Sequence, residues 1–410
     1  MRKLIVSLIV ILSTVLVASI GWYFFLQDSD IPAGETIKNI LPFGASDGDD
    51  TSGFAPEGSS TGNEMGETTP FDEFGTPTTD LFRISDTPVA GVVVLKKNAQ
   101  TMARYVDRAT GHIYDADLAT LTKTKVTNQT LPKIYEAYFR ADGNAILFRS
   151  LKDDSDVVEN LSLTLTPPKS TSTDALHTVS SASLRGNISS VAVGTGNTLF
   201  YALKDTSSIA SSAFNGTGAK TLFNSAFNEW RLLVAGNNLV VYTKASASTP
   251  GYAYTLNSSG GSLTKILGPF HGLVVNPNPA GNRVLYSYFE NNKTRLFVKN
   301  LQSGSASEIL PATIAEKCVW STKNSTTFLC GIPTTSPSGT EPDNWYRGLT
   351  HFSDYVWRFD TNSETAELLS EPKKDFGIDL DIYEPRLSPD EDYLVFINKS
   401  DLSLWTLKLD

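Results

Sequence analysis

Short β-strands recur in a regular order along residues 81–410. Gly, Asn, Asp and Ser turns separate these strands, and few segments show the 3.6-residue apolar period of a helix. The segments "AYFRADGNAILFRS", "NPNPAGNRVLYSYF" and "YEPRLSPDEDYLVF" share one succession of strand, polar turn and apolar strand. That shared succession indicates an internal repeat.

The copies of the repeat can be counted by their first strands. These strands begin near Val89, Ile134, Ile188, Glu229, Gly272, Ala315 and Ile382. Most starts lie 40 to 55 residues apart, and the one longer interval contains an insertion. Four strands in about 40–45 residues is the period of a β-propeller blade. The sequence therefore predicts an all-β, seven-bladed β-propeller over residues 81–410.

The last copy contains only three strands before the chain ends at Asp410. A three-stranded blade would leave a bare sheet edge, which proteins seldom tolerate. The segment "LFRIS", Leu81 to Ser85, precedes the first copy and has no place in it. We expect this segment to supply the missing strand, so that residues 382–408 and 81–85 form the closing blade.

The segment "EPRLSPDEDYLVF" resembles the TolB-type, WD40-like propeller repeat, with roughly Pro-x-Trp-Ser-Pro-Asp-Gly before an apolar strand. The matching residues are Pro385, Ser388, Pro389, Asp390, Leu394, Phe396, Leu404 and Trp405. Leu387 stands where the family usually has Trp, and Glu391 stands where it usually has Gly. The resemblance implies a propeller outside the inner membrane that binds proteins or accompanies enzymes. It transfers no catalytic residue, because the motif positions form turns and pack the core.

An uncharged apolar segment, Leu4 to Leu26, lies near the N-terminus. As a helix it would span roughly 34 Å, enough to cross a bilayer of about 30 Å. Arg2 and Lys3 precede it, so the positive-inside rule puts residues 1–3 in the cytoplasm and the rest of the chain outside. We predict one transmembrane helix in the inner (cytoplasmic) membrane. A cleaved signal peptide is the alternative, although its apolar core is usually about 7 to 15 residues.

Residues 27–80 are predicted to form a disordered acidic tether. They hold twelve acidic side chains and one basic side chain, and they contain too few apolar residues to offset the entropy of ordering. Residues 81–410 are nearly neutral, with 31 basic and 32 acidic side chains. A neutral body without a basic stripe argues against nucleic-acid binding.

The two cysteines lie in the segment "EKCVWSTKNSTTFLCGIP". Cys318 and Cys330 are nearly equidistant from a turn near Lys323 and Asn324, so they should face each other across a hairpin. In an oxidising compartment this arrangement favours a disulfide. Two reduced cysteines that pack in the core are the alternative.

The residue types that support catalysis or metal binding are sparse. No two of the four histidines have the spacing of metal ligands, so we predict no catalytic residue, no metal and no cofactor. Acidic runs occur at Asp153–Asp156 and Asp375–Asp381, but neither has the loop pattern of a calcium site, and we interpret both as solvated loops.

The insertion in the sixth copy, Gly331 to Trp357, is the strongest candidate for recognition. It carries Trp345, Tyr346, Arg347, His351 and Phe352, a composition typical of binding hot spots. The alternative is that its aromatic side chains fold back and cover the blade. Trp357 is expected in the third strand of that copy.

The sequence predicts a non-catalytic protein-binding or scaffold module of the cell envelope, anchored by one helix, with an envelope protein as partner. An envelope hydrolase or lyase that acts on glycan or peptide at the mouth of the central channel is the alternative, and a structural subunit of a larger machine is a third. An enzyme predicts carboxylates or histidines that converge at the channel mouth. A scaffold predicts scattered polar residues there and apolar residues on the rim.

Overall fold

Seven four-stranded antiparallel sheets make up the part of the chain described by the computed structural model, which covers residues 79–152, 155, 157–169, 175–337 and 340–409. The first strands of successive sheets contact one another, except that the 3₁₀ turn Ala315–Lys317 makes the contact between the fifth and sixth sheets. The contacts continue from the seventh sheet back to the first. The sheets therefore form a closed ring around a central channel. The predicted seven-bladed β-propeller is confirmed.

The blades follow one another along the chain. Blade 1 contains β2 (Val89–Lys97), β3 (Gln100–Asp107), β4 (Ile113–Asp117) and β5 (Lys123–Lys125). Blade 2 contains β6 (Glu136–Phe139), β7 (Ala145–Leu151), β8 (Val158–Thr166) and β9 (Thr178–Ser183). Blade 3 contains β10 (Ile188–Val193), β11 (Thr198–Leu203), β12 (Ser208–Ala213) and β13 (Lys220–Asn224). Blade 4 contains β14 (Trp230–Ala235), β15 (Asn238–Thr243), β16 (Pro250–Asn257) and β17 (Thr264–His271).

The remaining blades include the predicted insertion and the closing strand. Blade 5 contains β18 (Val274–Pro277), β19 (Arg283–Glu290), β20 (Lys293–Asn300) and β21 (Ala306–Glu308). Blade 6 begins after the 3₁₀ turn Ala315–Lys317 and contains β22 (Cys318–Trp320), β23 (Thr327–Pro333), β24 (Asp354–Asp360) and β25 (Thr365–Ser370). Blade 7 contains β26 (Ile382–Leu387), β27 (Tyr393–Asn398), β28 (Leu404–Lys408) and β1 (Leu81–Ser85). Two short helices, Asp343–Tyr346 and Pro372–Phe376, complete the described elements.

The ring is closed by its two ends. β1 pairs antiparallel with β28, and Leu81, Phe82 and Arg83 lie opposite Leu407, Thr406 and Trp405. Ile84 is almost fully buried in the core cluster between blades 7 and 1, where its neighbours include Val92 and Val395. The predicted closing blade is confirmed, because the N-terminal strand covers the edge that the last three strands would leave bare.

The predicted disulfide is also confirmed. Cys318 of β22 and Cys330 of β23 are directly opposite each other in the hairpin, with a Cα–Cα distance of 4.0 Å. Both sulfurs lie in the core cluster around Trp320 and Phe328.

The connections between strands divide between two faces of the disc. The first strand of each blade starts at one face, and the connection from the second to the third strand returns to that same face. This face therefore carries residues 334–353, which join β23 to β24, and we call it the insertion face. The chain enters β1 at Leu81 and leaves β28 at Lys408 on the opposite face.

The predictions for the N-terminal region fall outside the described residues. These are the cytoplasmic residues 1–3, the transmembrane helix 4–26 and the tether 27–80 except for its last two residues. Among the residues that the structure does describe, no helix is long and apolar enough to cross a membrane.

Candidate functional site

Charged side chains meet where the inner strands begin, at the mouth of the channel on the insertion face. Glu136 is the first residue of β6, Arg231 is the second of β14 and Glu384 is the third of β26. Glu316 lies in the 3₁₀ turn just before β22. Equivalent positions in a ring of parallel inner strands lie at the same height along the axis, so the repeat itself brings these residues together.

Glu316 and Tyr346 join the wall of the channel to the insertion. The Tyr346 hydroxyl donates a hydrogen bond of 2.5 Å to Glu316 Oε2. Burial raises the pKa of the Glu316 carboxyl, and the negative charge of Glu384 adds to that increase. The hydrogen bond from Tyr346 and the positive charges of Arg231 and Lys399 act in the opposite direction without cancelling it.

Arg231 is a cation of this group that has no ion pair within the described residues. Its Nη1 donates to the Ser189 carbonyl at 3.1 Å, and its strand pairing places it opposite Tyr242. Burial lowers the pKa of the Arg231 guanidinium, but Tyr242, Tyr346 and Glu316 outweigh that effect and the pKa is raised. The group therefore keeps its charge inside the channel wall.

Two other carboxylates at the mouth already have cationic partners. Glu136 forms an ion pair with Arg149. Arg149 also donates a hydrogen bond of 2.6 Å to the Ile188 carbonyl. Glu384 lies 3.6 Å from Arg386. Each of these carboxylates has a cation within ion-pair distance, which distinguishes them from Glu316.

Tyrosines surround the charged residues. Burial raises the pKa of Tyr138 and of Tyr242, and the charge of Glu384, followed by burial, raises the pKa of Tyr383. All three hydroxyls therefore stay protonated at neutral pH and are able to donate hydrogen bonds. The mouth thus combines aromatic rings with hydroxyl donors, carboxylates and a guanidinium.

The insertion is held in place by Trp345. This side chain is fully buried, and its Nε1 donates to both oxygens of Asp381 at 3.0 Å. The Phe352 backbone N–H donates to the same carboxylate at 3.1 Å. At the start of the short helix, Asp343 accepts a 2.6 Å hydrogen bond from the Ala247 backbone N–H of blade 4.

A buried ion cluster lies beneath Trp345. Lys317 forms ion pairs with Asp354 and Asp381, and all three side chains are inaccessible to water. The Lys317 ammonium also lies 5.1 Å from the ring centre of Trp345 and 5.0 Å from that of Phe352. Burial raises the pKa of Asp354 to about 6, and its Oδ1 has no hydrogen-bond partner among the described residues. The interpretation of Asp375–Asp381 as a solvated loop is wrong for Asp381, because that carboxylate neutralises Lys317.

The five residues singled out in the insertion divide into two groups. Trp345 and Phe352 are buried, which agrees with the alternative that the aromatic side chains cover the blade. Tyr346 lies at the channel mouth, and Arg347 and His351 are exposed on the insertion face. The role of this loop in recognition remains a prediction. Within the loop, Tyr346, Arg347 and His351 are the residues that are placed to contact a partner. Trp357 lies in β24, as expected, half-buried against the core.

Exposed apolar side chains are concentrated on the insertion face. Nine large apolar side chains are markedly exposed in the described residues, and seven of them lie at this face. These are Tyr135, Leu151, Val157, Phe227, Leu310, Tyr346 and Leu349. Leu349, Leu310 and Phe227 are the most exposed, at 71%, 67% and 62%. The rim thus has the apolar character expected of a scaffold, while the mouth has the carboxylates expected of an enzyme.

No group of three or more metal-ligating side chains in a suitable arrangement occurs within the described residues. His351 makes a contact of 3.5 Å with Ser400, and His112 contacts Thr130 at 3.0 Å. Neither histidine belongs to the group of charged residues at the channel mouth.

Comparison with solved structures identifies the fold. The virginiamycin B lyase of Staphylococcus aureus is 12% identical, with a TM-score of 0.51 over 80% of this chain and 98% of the lyase. The hydrazine synthase of Kuenenia stuttgartiensis is 12% identical, with a TM-score of 0.50 over 79% of this chain and 97% of that one. TolB of Acinetobacter baumannii is 10% identical, with a TM-score of 0.41 over 82% of this chain and 66% of TolB.

At these identities the likeness concerns the propeller fold alone, for which TolB and lyases are both structural neighbours. No protein-family model matches the sequence, and no curated protein matches it either. The fold alone does not determine function, which depends on the residues of the site.

Proposed function

We propose that this chain is a membrane-anchored, extracytoplasmic β-propeller that binds a partner protein of the cell envelope through its insertion face. The observation that carries the proposal is the concentration of exposed apolar side chains on that face. Exposed apolar groups rimmed by polar residues are typical of protein-interaction surfaces. Leu310, Phe227 and Leu349 come from three different connections on the rim, so the surface extends across blades 3 to 6.

The position of the chain ends supports the same face. Residues 27–80 join the propeller at Leu81, on the face opposite the insertion. A partner on the insertion face would not compete with the proposed tether for space. A coil of 54 residues spans on the order of 40 Å root-mean-square, so the disc would be able to search for its partner near the membrane.

The anchor and the orientation can be tested directly. In intact cells the full chain should remain in the membrane after alkaline extraction. A protease added outside the cytoplasmic membrane should cut within residues 27–80 and release the propeller. Recovery of the whole chain in the soluble fraction would contradict the anchor.

The binding face is tested by crosslinking the full chain in cells and purifying it in mild detergent. The triple variant Phe227→Ser, Leu310→Ser, Leu349→Ser removes the three most exposed apolar groups. The matched control is Leu176→Ser, Leu368→Ser, at side chains that are 37% and 40% exposed elsewhere. The triple variant should lose the crosslinked partner and the control should retain it. Equal recovery by both variants would contradict the proposal.

A second candidate function is supported by the convergence of Glu136, Glu316 and Glu384 at the mouth. A carboxyl with a raised pKa, such as that of Glu316, is suited to general acid or base catalysis. The chain would then be an envelope hydrolase or lyase acting on glycan or peptide. This reading predicts that Glu316→Gln abolishes turnover of envelope glycans or peptides while crosslinking to the partner is unchanged.

A further inference from the structure

Arg231 is incompletely partnered. It has five N–H donors, and its single hydrogen bond within the described residues is the one from Nη1 to the Ser189 carbonyl. No carboxylate of the described residues lies within ion-pair distance of it. The Tyr242 hydroxyl, which is opposite Arg231 in the strand pairing, also has no hydrogen-bond partner there. None of these donors is among the buried atoms that lack a partner, so they reach solvent at the mouth and are available to a ligand with acceptor oxygens.

The charges at the mouth define the sign of that ligand. Glu136 and Glu384 are paired with Arg149 and Arg386. Lys399 lies over the rings of Trp345 and Tyr383, at 4.9 Å and 5.1 Å, without an ion pair to any described carboxylate. Asp381 of the buried cluster is the nearest compensating charge for Lys399, and the Glu316 carboxyl accepts the hydrogen bond from Tyr346. Arg231 is therefore the cation at the mouth that lacks a carboxylate partner.

A single guanidinium without a carboxylate partner favours a monoanion. A phosphate dianion would place an excess of negative charge beside Glu316 and Glu384. A carboxylate also matches the fork of the guanidinium, because its two oxygens accept two parallel N–H donors.

We propose that the channel mouth binds a carboxylate, with Arg231 as its bidentate partner and the Tyr242 hydroxyl as a further donor. Lys399 contributes positive potential to the site. The carboxylate belongs either to the C-terminus of a peptide or to a free small organic acid. This inference does not depend on the apolar rim or on the identity of a protein partner.

The experiment uses the full chain in detergent and three probes, with binding followed by ligand-observed NMR and titration calorimetry. The probes are acetyl-trialanine with a free carboxylate, the same peptide as its C-terminal amide, and sodium acetate. The carboxylate peptide should bind at least tenfold more tightly than the amide. If acetate alone saturates the site and displaces the peptide, the source is a free acid. If only the carboxylate peptide binds, the source is a peptide C-terminus.

The matched variants are Arg231→Gln and Arg358→Gln. Arg358 is an arginine of comparable exposure that pairs with Glu367 on the outer part of blade 6, so its loss should leave binding unchanged. Arg231→Gln should weaken binding of the carboxylate probe at least tenfold, and Tyr242→Phe should weaken it to a smaller degree. If Arg231→Gln fails to fold, the comparison of the carboxylate and amide peptides on the unaltered chain still tests whether the site binds a carboxylate. Equal binding of these two probes, or no binding of any carboxylate, would overturn the proposal.

Discussion

The Lys317 ammonium lies 2.7 Å from Asp354 Oδ2, with both side chains fully buried. Lys317 precedes the first strand of blade 6, and Asp354 begins the third strand of the same blade. With Asp381, which precedes blade 7, they form a cluster that joins two blades and supports Trp345 of the insertion. The position of the insertion at the channel mouth therefore depends on this buried ion cluster.

Replacement of Lys317 by Met should destabilise the propeller by about 3–5 kcal/mol, because two buried carboxylates would lose their cation. The control is Lys373→Met, which removes an exposed ion pair with Asp379 and should cost less than about 1 kcal/mol. Denaturant unfolding followed by tryptophan fluorescence measures both effects. A Lys317 variant as stable as the Lys373 variant would contradict a structural role for the cluster.

The pKa of Asp354 predicts how stability depends on pH. Burial raises this pKa to about 6 in the folded state, above the value of 3.8 for a free side chain. The folded protein therefore binds the proton more tightly than the unfolded chain. The stabilising contribution is complete below the unfolded pKa and is lost as the pH rises through the folded value. Asp354→Asn should consequently gain stability relative to the unaltered protein as the pH increases from 4 to 7.

Asp360 provides a control whose contribution to stability depends on pH in the opposite direction. Hydrogen bonds from Asn362, Ser363, Thr326 and Thr327 lower its pKa against the opposing effect of burial. The contribution of Asp360 is therefore present above the unfolded pKa and is lost as the pH falls. Thermal melts of Asp354→Asn and Asp360→Asn between pH 3 and pH 7 should diverge in opposite directions from the unaltered protein. Parallel curves for the two variants would contradict a raised pKa of Asp354 in the folded protein.

The sequence was sufficient to predict the parts of the fold that depend on local periodicity. Turn spacing and strand length identified seven blades, and the unpaired segment Leu81–Ser85 identified how the ring closes. Cys318 and Cys330 could be paired because a short hairpin determines which residues are opposite each other. Each of these predictions uses residues that are close in sequence or an edge that must be covered.

The candidate site was much less predictable. Arg231, Glu316 and Glu384 come from three blades, and only the curvature of the ring brings their strand starts together. Lys317 and Asp381 look like surface residues because charged groups usually lie in turns, and no local pattern announces that they neutralise each other. The composition of the insertion indicated aromatic contacts, but not that Trp345 faces the core while Tyr346 faces the channel.

Closure of the ring by β1 leads to a prediction about Ile84. This side chain is almost fully buried between blades 7 and 1, so Ile84→Ala should cost about 2–5 kcal/mol through lost burial and the cavity left behind. The control is Leu368→Ala in β25, another outer strand, where the side chain is 40% exposed and the expected cost is small. Both are measured by urea unfolding. Similar midpoints for the two variants would indicate that β1 contributes little to closing the ring.

The hydrogen bond between Tyr346 and Glu316 predicts a change in acidity at the channel mouth. The bond lowers the pKa of Glu316, so Tyr346→Phe should raise that pKa further above its usual range. Carboxyl-carbon NMR of a glutamate-labelled protein, titrated between pH 3 and pH 8, follows this group, with Glu316→Gln to assign its signal. The control is Tyr355→Phe, a tyrosine in β24 of the same blade that makes no hydrogen bond to Glu316 within the described residues. The pKa of Glu316 depends directly on whether the Tyr346 hydroxyl donates to the ionised carboxylate. A Glu316 titration that is unchanged in Tyr346→Phe would therefore show that the insertion does not control the electrostatics of the channel mouth.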